Sequence, residues 1–231
     1  MNHDDRSDQR PAVKLGVMIS GRGTNLQAII DSIERGELKA EIRIVISNRA
    51  DAYGLKRAAQ HGIETDVLDH KRFKRREEFD AAVIARLCAR EVELVVCASF
   101  MRLFSSVMVR AFPNRIMNIH PALLPAFPGL HVQKAAIDYG VRFSGCTVFF
   151  VDEGTDAGPI IVQAAVPVLQ NDDEASLSER ILEQEHRIYP HAIRLYQQGR
   201  LEIAGRRVLV KDEADFKSAM VNPHISLNPK T

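Results

Sequence analysis

The sequence predicts an α/β fold: an open, mostly parallel, twisted sheet with helices on both faces. Short apolar runs alternate with amphipathic helical segments between residues 13 and 120, as in parallel sheets. The apolar runs are continuous and rich in Val, Ile and Leu, which indicates strands covered on both faces. The first run, residues 13–19, leads through the loop SGRGTN into a helical pattern. This strand, glycine loop and helix predict a Rossmann-like βαβ start.

The remaining elements of the first half follow in a regular order. The further strands are predicted at 41–47, 64–69, 92–99 and 115–120. The helices between them are predicted at 26–36, 53–62 and 77–90, with a short helix before residue 115.

The pattern changes after His120. Strand-like runs at 144–154 and 158–169 predict antiparallel additions to the sheet, and a helix follows from about 173 to 198, with Asp173 or Ser176 as its cap. Residues 201–210 predict a hairpin.

The domain organisation predicted from this order is simple. We expect one domain over 13–210, a flexible extension over 1–12 and a loosely ordered tail over 211–231. No repeat or linker interrupts the chain.

Charge and composition argue against several kinds of partner. The 231 residues are 45% hydrophobic with a net charge of +1, which leaves no basic excess for nucleic-acid binding. The basic cluster at 71–76 is followed by Glu77, Glu78 and Asp80, so a solvated helix start is favoured over an anion contact. We expect small-molecule substrates and either a monomer or a homodimer.

The predicted location is cytoplasmic, without a membrane partner. No apolar run has the length needed to cross a bilayer, and the first dozen residues lack the apolar core of a secretory signal. The three cysteines form no C-x-x-C pair, which suits a reducing compartment.

The loop SGRGTN is the first candidate site. A loop between a strand and a helix directs main-chain N–H groups and the positive end of the helix at a ligand, typically an anion. Thr24 and Asn25 add further donors, which suits a terminal phosphomonoester. The alternative is a tight turn in which Asn25 caps the helix.

A dinucleotide is a weaker interpretation of the same loop. Leu26 stands where the third glycine of G-x-G-x-x-G is expected, and the second strand is followed by Arg49 and not by an acid. NAD is therefore disfavoured. Arg49 keeps NADP open as an alternative.

The second candidate site combines an amide with an imidazole. Asn118 and His120 are two residues apart in a predicted strand, so their side chains point to the same face. Both donate hydrogen bonds, as the oxyanion of a tetrahedral intermediate requires. The loop at 152–159 offers Asp152, Glu153 or Asp156 as an acid that would favour the protonated ring.

Metal and covalent chemistry are disfavoured. Neither the pair His120 and His131 nor the pair His186 and His191 has a recognised ligand spacing, so no metal is predicted. No serine or cysteine lies in a nucleophile-elbow pattern. The residues alone thus predict acyl transfer to or from a phosphate-bearing substrate.

Six segments between roughly residues 13 and 205 form one set of signatures: SGRGTNLQAII, SNRADAYGL, FMRLF, NIHPALLPAFPGLH, DEGTDAGPIIVQAAVPV and EQEHRIYP. Together they resemble the folate-dependent phosphoribosylglycinamide formyltransferases of de novo purine biosynthesis. The resemblance implies transfer of a formyl group from 10-formyltetrahydrofolate, the co-substrate, to the glycine amine of 5'-phosphoribosylglycinamide. It also implies direct attack through a tetrahedral intermediate.

The resemblance also implies roles for individual residues. The catalytic residues would be Asn118, His120 and Asp156. The phosphoribosylglycinamide would be bound by Gly23, Thr24, Asn25, Gln184 and Glu185. The folate would be bound by Arg76, Met101, Arg102, Leu103, Phe104, Asn118, Asp152, Glu153, Gly154, Thr155 and Asp156. The proline-rich segment PALLPAFPGLH would fold over the site as a rigid cover.

One segment departs from the pattern of the family. Members usually carry histidines in a run like H-G-x-T-V-H-F, whereas this chain has Ser144 and Phe149 at those two positions. The catalytic residues are kept, so only secondary polar support or a pH-dependent feature is in question.

Three other functions remain as alternatives. Methionyl-tRNA formyltransferases resemble the same core but add a basic carboxy-terminal domain, and the stretch after Lys211 is too short for one. Formyltetrahydrofolate deformylases use water as acceptor and add an amino-terminal regulatory domain. A non-catalytic NADP-binding or phosphate-sensing module is disfavoured by the intact Asn118, His120 and Asp156.

Overall fold

The computed structural model describes residues 10–212, 220 and 222. The extension predicted for 1–12 and the tail predicted for 211–231 therefore lie mostly outside the described residues. None of the described helices has the length and hydrophobicity that a membrane crossing requires.

A nine-stranded sheet forms the centre of the described structure. Its strands are β1 Val13–Ile19, β2 Ala40–Ser47, β3 Thr65–Val67, β4 Leu94–Cys97, β5 Ile116–His120, β6 Phe143–Phe150, β7 Ile160–Pro167, β8 Leu201–Ala204 and β9 Arg207–Val210. Their order across the sheet is β3-β2-β1-β4-β5-β6-β7-β9-β8. The strands from β3 to β5 are parallel, whereas β6 is antiparallel to both β5 and β7. This confirms the predicted parallel sheet with antiparallel additions.

Within the described residues, six α-helices cover the two faces of the sheet. They are α1 Thr24–Glu34, α2 Tyr53–Gln60, α3 Arg76–Ala89, α4 Ser106–Ala111, α5 Val132–Tyr139 and α6 Glu174–Gln197. Apolar residues of α1, α2 and α6 pack in one core cluster, and those of α3 and α4 pack in another on the opposite face. Burial on both faces explains the continuous apolar runs of the parallel strands.

The long helix α6 is fixed at its start and in its middle. Asp173 caps it, because its carboxylate accepts from the Ser176 N–H while the Ser176 hydroxyl accepts from the Asp173 N–H. Farther along, the buried Tyr189 hydroxyl lies 3.0 Å from the main-chain oxygens of both Cys97 and Met117. This contact ties α6 to β4 and β5, the two strands that carry part of the site.

Helix α5 was not predicted. Its eight residues, Val132–Tyr139, follow directly on the proline-rich segment and end at Gly140, which has a φ of 80°. Only Val132 and Ala136 are buried, so its apolar stripe is short. The glycine just after the last helical residue was the signal that marks this helix end.

Candidate active site

Two cavities lie side by side where the parallel strands end. The first, about 540 Å³, is lined by residues 20–24, by the residues that follow β2 and by Ser99 and Met101. It lies beyond β1. The chain adds β2 and β3 on one side of β1 and then β4 and β5 on the other side, so the strand order reverses at β1. Open α/β sheets bind their ligands at such a point. We call this cavity the loop cavity.

The second cavity, about 420 Å³, extends over the sheet face that carries Asn118 and Phe149. Its other walls come from Phe100 and residues 102–106, from the start of α3 and from residues 151–156. We call it the sheet cavity. Arg102 lines both cavities, so they adjoin. Both volumes fall in the range of pockets for small ligands.

The glycine loop is held tightly against α2. Gly23 has a φ of 71°, and a Cβ at this position would lie 2.6 Å from the Cα of Gly54. Gly54 also donates its N–H to the Gly21 carbonyl at 3.0 Å. The loop therefore needs glycine both for its left-handed backbone and for this close approach.

The first turn of α1 faces the loop cavity. Gly23 is the residue before the helix, and no side chain caps it. The first N–H groups of a helix have no partner within the helix, so those at the start of α1 are free to meet an anion. The side chain of Thr24 lines the cavity. The alternative interpretation of Asn25 as the helix cap is wrong. No side chain caps α1, and the Asn25 amide donates to Glu185 in α6.

Asn25 instead contacts α6 beneath the loop. Its amide donates to Glu185 Oε2 at 2.8 Å, and Asn25 and Glu185 are both buried. Burial raises the pKa of Glu185 to about 7, and the hydrogen bond from Asn25 opposes this shift. Among the described residues, Asn25 Oδ1 has no partner. The pair is thus a buried polar contact with unused hydrogen-bonding capacity.

Gln184 lies apart from this pair. Its side-chain oxygen accepts from Arg187 at 3.1 Å, and it lines neither of the two cavities. Of the two α6 residues implied by the resemblance, only Glu185 contacts a residue of the loop segment.

Asn118 and His120 lie on the same face of β5, as predicted. Asn118 is paired with Cys97 in β4 and with Phe149 in β6, and it lines the sheet cavity. His120 is the last residue of the strand and only 5% exposed. The amide therefore faces the cavity, while the imidazole is enclosed by protein.

The proline-rich segment encloses the imidazole. We call residues 121–131 the strap. His120 Nε2 lies 2.8 Å from the carbonyl oxygen of Phe127 in the strap. A carbonyl oxygen only accepts hydrogen bonds, so Nε2 carries a proton, and Nδ1 carries one only when the ring is cationic.

The acid beside the ring is Asp156. Its Oδ2 lies 3.6 Å from His120 Nδ1 and accepts a hydrogen bond from the Gly129 N–H at 3.0 Å. The side chains of His120 and Asp156 are 6% and 12% exposed. The strap thus contacts both members of the pair, with a carbonyl on the imidazole and an N–H on the carboxylate.

The other candidate acids serve different contacts. Asp152 Oδ1 accepts from the Gly154 N–H at 2.9 Å and shapes its own loop. Glu153 Oε1 lies 3.4 Å from Nε of Arg110 in α4. Of the three acids in this loop, only Asp156 is within ion-pair range of His120.

The residues expected to bind folate converge on the sheet cavity, apart from Met101, which lines the loop cavity. The guanidinium of Arg102 lies 5.7 Å from the centre of the Phe79 ring. Met101 and Leu103 on either side of it are 64% and 54% exposed. Apolar side chains exposed at the rim of a cavity are typical of a ligand contact.

Some lining residues were missed from the sequence. The sheet cavity is also lined by Glu77, Cys97, Phe100, Ser105, Ser106, Phe149 and Val151. Ser105 is fixed there by Asp80 in α3, whose Oδ2 accepts from both the Ser105 N–H and its hydroxyl at 2.6 Å. Burial raises the pKa of Asp80, and the two hydrogen bonds from Ser105 oppose the shift. No sequence motif marked this contact.

The two positions where histidine was expected are both buried. Ser144 is 4% exposed and Phe149 is 2% exposed. Phe149 lies opposite Asn118 in the neighbouring strand and lines the sheet cavity. The cavity wall is therefore apolar at this point. Within the residues that the structure describes, no cluster of His, Cys, Asp and Glu has the arrangement of a metal site.

Comparison with known proteins agrees with this geometry. The formyl transferase family model matches residues 13–193. A phosphoribosylglycinamide formyltransferase of Escherichia coli (strain K12) is 44% identical over 187 residues, covering 81% of this chain and 88% of that protein. A crystal structure of glycinamide ribonucleotide transformylase 1 from Symbiobacterium toebii has a TM-score of 0.85 and 54% identity, covering 86% of this chain and 94% of that one.

Longer relatives contain the same region. The trifunctional purine biosynthetic protein adenosine-3 of Drosophila pseudoobscura pseudoobscura is 50% identical over 208 residues. The match covers 89% of this chain but only 15% of that protein. The chain belongs to the formyl transferase family, and within it to the phosphoribosylglycinamide formyltransferases.

Proposed function

We propose that this chain transfers a formyl group from 10-formyltetrahydrofolate to the glycine amine of 5'-phosphoribosylglycinamide in de novo purine biosynthesis. The observation that carries the proposal is the convergence of Asn118, His120 and Asp156 beside the sheet cavity. A carboxamide and an imidazole with an acid partner are the groups that an acyl transfer through a tetrahedral centre needs. The chain belongs to the formyl transferase family, which is named for the transfer of a formyl group.

The substrates would occupy the two adjoining cavities. The phosphate of the phosphoribosyl substrate would meet Gly23, Thr24 and Asn25, with the free N–H groups of α1 as donors. Glu185, beneath the loop, would face its ribose and glycinamide, with Gln184 nearby. The folate would lie in the sheet cavity between residues 101–104 and 152–156, with Arg76 at its far end. The formyl carbon would then lie where the cavities adjoin.

The reaction would be a direct attack. The neutral glycine amine attacks the formyl carbon, and the carbonyl oxygen becomes an oxyanion. A C–N bond forms to the glycine nitrogen, and the C–N bond to the folate nitrogen breaks. The attacking nitrogen loses a proton and the folate nitrogen gains one, so no net oxidation or charge remains. Holding both substrates in reacting distance supplies a further part of the acceleration.

The oxyanion would be stabilised by Asn118 and by the cationic ring of His120. Because the Phe127 carbonyl already accepts from Nε2, the donor left for the oxyanion is Nδ1–H, which exists only in the protonated ring. The separation of 3.6 Å from Asp156 exceeds a normal hydrogen bond, so Nδ1–H is not committed to the carboxylate. Asp156 would be the counter-ion of the cationic ring and would relay the proton through water to the folate nitrogen.

The remaining features of the proposal concern the setting of the reaction. The co-substrate 10-formyltetrahydrofolate supplies the transferred carbon, and no metal takes part in the proposed steps. The partners are small molecules, and we propose a monomer or a homodimer in the cytoplasm. One catalytic domain over 13–210 would carry all of the residues named above.

A coupled spectrophotometric assay tests the proposal. The consumption of 10-formyltetrahydrofolate is followed with and without the phosphoribosyl glycinamide, and the formylated product is identified by mass. We expect consumption that depends on the glycinamide and yields one product per folate consumed. Consumption at the same rate without the acceptor would instead indicate a hydrolase that uses water.

A further inference from the structure

Three facing strand positions form a row that starts at His120. His120 in β5 is paired with Thr147 in β6, and Thr147 is paired with Gln163 in β7. Residues that face each other across neighbouring strands point to the same side of the sheet. The row therefore leads from the imidazole across two strands to Gln163, whose side chain is exposed.

The strap lies across this row and is hydrogen-bonded to its second and third members, Thr147 and Gln163. The Thr147 hydroxyl donates to the Ala122 carbonyl at 2.7 Å and accepts from the Leu124 N–H at 3.1 Å. The Gln163 amide donates to the Leu124 carbonyl at 2.9 Å and to the Thr147 hydroxyl at 3.0 Å. The start of the strap is thus fixed through its main chain.

These contacts use the donor and both lone pairs of the Thr147 hydroxyl and both donors of the Gln163 amide. A hydroxyl has one proton and two lone pairs, and Thr147 uses each of them once. The two protons of the Gln163 amide are both donated. A substitution that removes the amide therefore leaves both the Leu124 carbonyl and the Thr147 hydroxyl short of a partner.

The far end of the same strap holds the His120 and Asp156 side chains. Phe127 accepts from His120 Nε2, and Gly129 donates to Asp156 Oδ2. Only two residues lie between Leu124 and Phe127. A shift of the chain at Leu124 therefore moves the carbonyl that orients the imidazole and the N–H that orients the carboxylate.

We propose that Gln163 is a positioning residue for the reaction. Together with Thr147 it fixes the strap at Leu124, so that Phe127 and Gly129 hold His120 and Asp156 in register. Its effect on turnover rests on the proposed function, whereas its effect on the strap does not. Gln163 touches neither substrate in this scheme and acts only through the strap.

The test compares Gln163→Glu with a matched control, Gln170→Glu. Glutamate has nearly the same shape as glutamine, but its carboxylate has no N–H to donate. It would therefore face the Leu124 carbonyl oxygen and the Thr147 hydroxyl oxygen without the two hydrogen bonds that the amide makes. Gln170 is exposed in the turn after β7 and undergoes the same change of charge. Because Gln163 is also exposed, we expect both variants to fold with wild-type melting temperatures. The readouts are amide hydrogen exchange of Leu124 and Gly129, and the steady-state constants.

For Gln163→Glu we expect at least about tenfold faster exchange at both amides and a kcat lowered about tenfold. The KM for the phosphoribosyl substrate should stay within about twofold, because the glycine loop is untouched. Thr147→Ser should retain wild-type turnover, since it keeps the hydroxyl, and Thr147→Val should behave like Gln163→Glu. Gln170→Glu should match the wild type in every readout.

Two outcomes overturn the inference: wild-type exchange at Leu124 in Gln163→Glu, or a kcat that does not change when the exchange does. If the wild-type protein shows no formyl transfer in the assay, the proposed function is refuted instead. The exchange rates would then still decide whether Gln163 fixes the strap.

Discussion

His120 Nδ1 lies 3.6 Å from Asp156 Oδ2, although His120 ends a strand and Asp156 belongs to a loop much later in the chain. His120 ends β5, and Asp156 lies in the loop between β6 and β7 with a φ of 49°. The strap holds both, through the Phe127 carbonyl and the Gly129 N–H. The relation between the two groups is therefore a product of the fold and not of local sequence.

Replacing Asp156 by Asn should lower kcat by about a hundredfold or more while the KM of each substrate changes little. The amide keeps the shape of the carboxylate but cannot favour the cationic ring. Steady-state kinetics of the purified variant with both substrates measure this effect. Asp138→Asn, at an exposed acid of α5 that lines neither cavity, is the control and should keep its turnover. A wild-type kcat in Asp156→Asn would contradict the assigned role.

Glu185 should make stability depend on pH. Its pKa is raised from an ordinary 4.5 to about 7, so between these values the folded chain holds a proton that the unfolded chain releases. The free energy of unfolding therefore falls as the pH rises from 4.5 to about 7, by up to roughly 3 kcal/mol. Above that pH, Glu185 is ionised in both the folded and the unfolded chain and adds no further pH dependence.

Urea unfolding of the wild type and of Glu185→Gln at pH 4.5, 6 and 8 measures this effect. Glutamine does not ionise, so the variant avoids the cost of a buried charge at high pH. The stability of Glu185→Gln relative to the wild type should therefore increase from pH 4.5 to pH 8. An equal difference between the two proteins at all three pH values would show that Glu185 titrates normally.

The glycine loop should be sensitive to its contact with α2. A Cβ on Gly54 would lie 2.6 Å from Ile19 Cδ1 and 3.1 Å from the Gly23 Cα, so Gly54→Ala should displace the loop. We expect the KM of the phosphoribosyl substrate to rise about tenfold, as for an overpacked contact, with kcat within about threefold. Gln60→Ala, at an exposed position of α2 that lines neither cavity, is the control. Equal KM values for the two variants would contradict the loop as the phosphate site.

One of the three cysteines should react in the native protein. Cys88 is exposed, whereas Cys97 and Cys146 are buried. Burial raises the pKa of the Cys97 thiol and raises that of Cys146 to about 12, so neither forms a thiolate near neutral pH. Titration with a chromogenic disulfide should find one thiol in buffer and three in denaturant. Two fast-reacting thiols in buffer would show that β4 or β6 opens readily.

The parallel half of the fold was predictable because its strands are buried on both faces and its helices are amphipathic. The predicted strand at 13–19 and the helix at about 173–198 agree with β1 and α6 within a residue. Helix α5 was missed because it exposes most of its surface and follows a proline-rich segment that carries no helical period. Short elements of this kind are stabilised by the tertiary structure and not by a local pattern.

The same distinction applies to the site. Asn118 and His120 were predictable as a pair because strand geometry alone places them on one face. The choice of Asp156 among three acids of one loop came from the family resemblance, since spacing cannot tell them apart. The hydrogen bonds of the strap to Thr147 and Gln163 were not predictable, because they depend on which strands become neighbours in the sheet.

The most direct test of the account is the turnover of His120→Ala with both substrates at saturation. Without the imidazole the oxyanion keeps only the Asn118 amide as its donor, so we predict a kcat at least about a hundredfold below the wild type. Substrate binding should be retained, since in this scheme the imidazole donates to the oxyanion that forms during the reaction and not to either bound substrate before it. A variant that folds, binds both substrates and turns over at the wild-type rate would contradict the central claim.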